Sequence, residues 1–99
     1  MKRRVRLHSL ARRDFVAIAD WSVRQWGKRL TRHYLDEIEA LVQRIAENPM
    51  LGHDAELPRA GLRRITAGRH VIFFLADEQS VEVVRILHEA MDFGERLGG

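Results

Sequence analysis

Leu62–Leu97, LRRITAGRHVIFFLADEQSVEVVRILHEAMDFGERL, decides the fold of this chain. Arg63–Thr66 reads as a short strand, and Ala67-Gly68 as a two-residue turn in which glycine can take a positive φ. His70–Leu75 is a run of β-branched and aromatic residues, the composition of a strand covered on both faces. Asp77-Glu78-Gln79-Ser80 turns the chain, and Val81–Leu87 returns as a second apolar strand carrying one charge, Arg85. Connections this short force antiparallel pairing, because a parallel pair needs a crossover of about a dozen residues or more. Glu89–Gly99 follows as a helical tail in which Met91, Phe93 and Leu97 can form an apolar face.

Upstream of this sheet the period changes twice. Arg3–His8 alternates arginines with Val5 and Leu7, as a strand with one solvated face does. Ser9 is the expected N-cap of a first helix whose stripe is Ala11, Phe15, Ile18, Ser22 and Trp26, with Ala19 beside it. Gly27 ends that helix. A second helix places Leu30, Tyr34, Ile38, Leu41, Val42 and Ile45 on one side and stops at Asn48-Pro49. So short a joint makes the two helices an αα-hairpin, whose apolar stripes need the sheet face for burial. Met50–Gly61 reads as a loop. The expected fold is α+β, one domain over residues 1–99. An antiparallel sheet in β-α-α-β-β-β order carries the hairpin on one face and ends in a short C-terminal helical tail.

Composition narrows the chemistry. The 99 residues include no cysteine, which removes disulfides, thiolate metal sites and thiol catalysis. No apolar stretch approaches the roughly 20 residues of a membrane span. The basic N-terminus lacks the apolar core of a signal peptide, so a cytoplasmic location and no membrane partner are expected. No glycine-rich loop suits a nucleotide and no His/Asp/Glu spacing suits a metal, so no cofactor is expected. The net charge of +3 comes from arginine, which suits contact with phosphates or carboxylates and equally suits a solvated surface.

Several residues have two readings. Arg85 in an apolar strand needs a partner, either a carboxylate such as Asp14, Asp20 or Asp92, or a target group on an open face. His70 and His88 can transfer protons or serve as hydrogen-bonded strand-end residues. Arg63, Arg64 and Arg69 flank the turn, as an anionic contact surface or as a solvated turn. Trp26 falls on the core stripe. Trp21 lies off it and, exposed, suits a partner surface. Phe74 belongs to an apolar run whose second face must be covered by the tail or by a partner.

A set of motifs in fixed order then points to a family. They are Ala11 with Asp14, Trp26-Gly27, Asn48-Pro49 with Gly52, Gly61-Leu62-Arg63, Gly68-Arg69-His70-Val71-Ile72-Phe73-Phe74, and Val84-Arg85-Ile86-Leu87-His88-Glu89-Ala90-Met91-Asp92. Across nearly its whole length the chain resembles the ParE-type toxins of the RelE/ParE superfamily, the toxic halves of type II toxin–antitoxin pairs. The resemblance implies a growth-inhibiting, plasmid-stabilising protein that binds DNA gyrase and stabilises its cleaved DNA complex. It also implies a small DNA-binding, ParD-like antitoxin in a hetero-oligomeric complex. Arg85, His88, Met91, Asp92, Phe93 and Leu97 are the expected target-binding residues. Trp21, Arg63, Arg64, Arg69 and Phe74 are the expected antitoxin-binding residues. The RelE branch instead implies a ribosome-dependent mRNA endoribonuclease. There the catalytic arginine and C-terminal tyrosine positions fall on His70 and His88, with Arg69 adjacent and Glu56 in the loop. The ParE pattern assigns no catalytic residue, and binding without chemistry is the expectation. A degenerate toxin that retains only antitoxin binding is the third possibility.

Overall fold

The computed structural model describes residues 2–56 and 59–98. The elements are β1 (Arg4–Leu7), α1 (Ser9–Trp26), α2 (Lys28–Glu47), a 3-10 turn (Pro49–Leu51), β2 (His53–Asp54), β3 (Arg63–Ala67), β4 (His70–Ala76), β5 (Ser80–His88) and α3 (Phe93–Arg96). The five strands form one sheet in the order β1-β5-β4-β3-β2. From β2 to β5 every pairing is antiparallel, and β1 adds to the β5 edge in parallel, Arg4 opposite Ser80 and Leu7 opposite Val83. The whole chain between β1 and β5 serves as the crossover that a parallel pair requires. The loop expected over Met50–Gly61 contributes the 3-10 turn and the two-residue edge strand β2.

Local chemistry accounts for the boundaries. The N-cap of α1 is His8, whose Nδ1 accepts from the Leu10 N–H at 3.1 Å, and Ser9 is already helical. Gly27, at φ 84°, is the single residue between α1 and α2, a conformation that a Cβ would strain. Tight reversal of β3 into β4 falls on Gly68-Arg69, one residue later than Ala67-Gly68, because Ala67 still pairs with His70. Gly68 sits at φ 59°, and an added Cβ would lie 2.7 Å from Tyr34 Cε1.

Both faces of β4 are buried, as its composition predicts, and the chain covers both by itself. On one face Ile72, Val83 and Ile86 pack against Ala11, Ile18, Ile38 and Val42 of the helical hairpin, and Phe74 and Val81 against Ile45. On the other, Val71, Phe73, Val84 and Leu87 are covered by Ala55 and Leu62 of the loop and by Phe93 and Leu97 of the tail. A β-bulge makes this possible. The β4–β5 register jumps from Phe73↔Arg85 to Phe74↔Val83, leaving Val84 as the extra residue. The jump switches the parity of β5, so Val83 and Ile86 share the hairpin face while Val84 and Leu87 share the other.

Candidate functional site

Beyond Leu7, β1 no longer covers the edge of β5, and α1 takes its place. The Asp14 carboxylate accepts from Arg85 Nε at 2.8 Å, from Arg85 Nη2 at 2.9 Å and from the Ile86 N–H at 2.9 Å. It therefore caps the exposed strand edge while neutralising the guanidinium in bidentate fashion. Arg85 Nη1 donates to the Arg96 carbonyl at 2.9 Å, so this one side chain joins α1, β5 and α3. Bonding to Asp14 holds the guanidinium more firmly charged, against the opposing pull of partial burial. Of the three carboxylates open to Arg85 from sequence, Asp14 is the partner. Arg85, expected as a target-binding group, gives three of its five N–H donors to the internal carboxylate and the tail, and its side chain is 15% exposed.

Beside this ion pair lies a cleft of about 410 Å³, lined by Asp14, Ala17, Ile18, Trp21, His70, Ile86, His88 and Met91. His70 and His88 stand opposite each other at the end of the β4–β5 ladder, their rings 5.4 Å apart and perpendicular. Tyr34 reaches across from α2. Its hydroxyl is 3.0 Å from the Ala67 carbonyl and 2.6 Å from His70 Nδ1. Trp21, Trp26, Tyr34, His70 and His88 form a continuous series of edge and tilted ring contacts. Burial, and His88 beside it, push the His70 pKa down against the weaker opposite pull of Glu89 and Asp14. Burial pushes the Tyr34 phenol up. The ring series was not read from sequence, although the i, i+5 spacing of the tryptophans and the lone tyrosine on α2 were visible. Its closure depends on the Gly27 joint.

The remaining expected residues separate. His88 and Met91 line the cleft, and Asp92 caps α3, its Oδ1 accepting from the Glu95 N–H at 3.1 Å. Phe93 packs edge-on against Phe73 at 5.0 Å, and Leu97 joins the same cluster, so both are half-buried. Trp21 is 47% exposed, in keeping with a partner surface, but Trp26 is 42% exposed and is no core residue. Trp26 packs edge-on against Trp21 and Tyr34. The arginines do not cluster. Arg63 donates to the carbonyls of Pro49 and Gly52 and so clamps the loop. Arg64 is half-buried opposite His53. Arg69 lies past the far end of β3, a strand of about 17 Å, and pairs with Glu89 at 3.2 Å. Phe74 as an antitoxin contact is also corrected, since it is 0% exposed and its ring lies on the hairpin face against Ile45 and Val81. Glu56, at φ 57° after β2, lies outside the cleft lining.

Among the described residues, no group of three or more His, Cys, Asp or Glu side chains gathers to hold a metal ion. Nor is any described helix long and apolar enough to cross a membrane.

Residues 5–93 match the family model described as ParE toxin of type II toxin-antitoxin system, parDE. The chain belongs to the ParE toxin family. It is 37% identical over 93 residues to Toxin ParE1 of Caulobacter vibrioides, covering 94% of this chain and 96% of that one. It is 33% identical over 98 residues to Toxin ParE1 of Mycobacterium tuberculosis, covering 98% and 100%. Among solved structures, the fold is shared with a chain of the chromosomal ParDE TA system from P. aeruginosa, at TM-score 0.75 and 18% identity over 88% of this chain and 96% of that one. It is shared also with a chain of the RelBE2 toxin–antitoxin complex of M. tuberculosis, at TM-score 0.69 and 18% identity over 92% and 95%. A ParE-family toxin thus shares its architecture with RelE-branch relatives, and the fold does not choose between the two activities.

Proposed function

We propose that this ParE-family toxin inhibits DNA gyrase by binding it and stabilising its cleaved DNA complex, without chemistry of its own. In this reading it acts in the cytoplasm, stabilises the replicon that encodes it, and is neutralised by a ParD-like antitoxin in a hetero-oligomeric complex. The observation that carries the reading is the use of Arg85. Cleavage of RNA needs a cation to hold the charge that develops on phosphorus. Arg85 is held by Asp14 and the Arg96 carbonyl, Arg69 and Glu56 are absent from the lining, and Arg12 and Arg13 line the neighbouring hollow rather than this cleft. What remains suits binding: an exposed aromatic wall at Trp21, and a tail that presents Met91 and Asp92 while Phe93 and Leu97 anchor it.

One observation favours the endoribonuclease reading. His70 and His88 face each other in a single cleft, and two histidines can supply a base and an acid. Purified gyrase and translating ribosomes separate the two. A gyrase poison blocks supercoiling and leaves mRNA on translating ribosomes uncut. A ribonuclease leaves supercoiling untouched, cuts that mRNA, and stops on His70 or His88 substitution.

A further inference from the structure

The cleft has a hydrogen-bonding pattern that its residues fix. A tyrosine hydroxyl has one hydrogen, and the Ala67 carbonyl at 3.0 Å can only accept it. His70 Nδ1, at 2.6 Å from the same oxygen, is therefore the donor, and its Nε2 carries a lone pair in the neutral ring that burial favours. His88 has the opposite arrangement. Its Nδ1 accepts from the Ala90 N–H at 3.1 Å, so its hydrogen is on Nε2. Neither Nε2 has a partner among the described residues. The fully buried polar side-chain atoms without partners there are Ser22 Oγ and Thr31 Oγ1, so neither Nε2 is completely sealed from solvent. The cleft thus offers one acceptor and one donor between the apolar walls of Trp21, Ile18 and Met91. The Asp14 carboxylate at its margin already accepts three N–H donors.

We propose that this cleft is the seat of an Asn or Gln side chain of the cognate antitoxin, its amide N–H donated to His70 Nε2 and its carbonyl accepting from His88 Nε2. The inference rests on the antitoxin reading above and adds the chemistry of the seat. A primary carboxamide carries donor and acceptor on the same edge, whereas the N–H and C=O of a trans peptide point to opposite sides of its plane. A carboxylate or phosphodiester offers only acceptors and leaves the His70 lone pair facing negative charge. Ala17, exposed and small, borders both this cleft and the neighbouring hollow of Arg12, Arg13, Val16 and Asp20. A segment crossing α1 at Ala17 meets Arg12 and Arg13, neither paired with a carboxylate among the described residues. An acidic residue beside the carboxamide suits them.

The test is calorimetric, with the full chain and the antitoxin encoded beside it. Each antitoxin Asn is changed to Asp and each Gln to Glu, substitutions that leave the toxin's folding untouched. One of them should weaken binding about 10- to 100-fold against the wild-type toxin and only about 3-fold against His70→Phe, where the lone pair that the amide N–H serves is already gone. Ala17→Arg should weaken the wild-type antitoxin by a comparable factor with the unfolding midpoint unchanged. Binding within about 3-fold for every Asn and Gln substitution overturns the proposal. So does a loss that is equal in wild type and His70→Phe, or inorganic phosphate that displaces the antitoxin from the cleft. An antitoxin that fails to bind the wild-type chain at all sinks the partner reading instead, a distinguishable result.

Discussion

Removing the Asp14 carboxylate should cost more than any other single surface-accessible truncation in this protein. Asp14→Ala deletes three acceptor contacts at 2.8–2.9 Å and leaves Arg85, 15% exposed, without its counter-ion. Breaking a buried pair by removing one partner costs about 3–5 kcal/mol, and residual exposure puts this pair near the lower end, about 3 kcal/mol. The orphaned Ile86 N–H adds about 1 kcal/mol. The sum, about 4 kcal/mol, is of the order of half the stability of a domain this size. Asp14→Leu with Arg85→Met should recover most of it, because an apolar pair carries no unpaired charge. Urea unfolding followed by tryptophan fluorescence, run as a double-mutant cycle, should show a coupling of about 2 kcal/mol between the positions. A loss below about 1 kcal/mol for Asp14→Ala, or strict additivity, would refute the reasoning.

Other expectations follow from the same geometry. Gly68→Ala puts a Cβ 2.7 Å from Tyr34 Cε1 at φ 59°, and should cost about 2 kcal/mol or more, read as a lowered Tm and a lost Tyr34–His70 hydrogen bond by NMR. His70 has a depressed pKa in the folded chain, with His88 adding to burial and Glu89 and Asp14 opposing. Its contribution to stability is complete above pH about 6.5 and is lost as pH falls from there through the folded value, by at most about 1.4 kcal/mol per pH unit. His70→Asn should flatten that part of the stability–pH curve. Trp21→Ala, at an exposed position, should change stability by less than about 1 kcal/mol yet cost about 2 kcal/mol of antitoxin affinity, since exposed tryptophans are frequent anchors of interfaces.

Periodicity and turn chemistry made the helical hairpin, the β3–β5 meander and the tail legible, because those features depend on neighbours a few residues apart. The parallel docking of β1 on β5 depends on residues more than seventy positions apart, and nothing local in Arg4–Leu7 specifies its partner. The bulge at Val84 was equally hidden, though it decides which face of the sheet each residue from Arg85 onward takes. Sequence narrowed the Arg85 partner to three carboxylates, and only the fold selects Asp14. Phe74 and Trp26 failed in opposite directions. Phe74 is in a continuous apolar run whose two faces the chain covers by itself, while Trp26, on the helical stripe, packs only against Trp21 and Tyr34 rings and stays 42% exposed.

The central claim is best tested on purified gyrase, with supercoiling of relaxed plasmid and trapped cleavage products read from one gel. A gyrase poison blocks supercoiling and accumulates linear DNA, and addition of antitoxin reverses both effects. Undiminished supercoiling without linear DNA, from folded and antitoxin-competent protein, contradicts it.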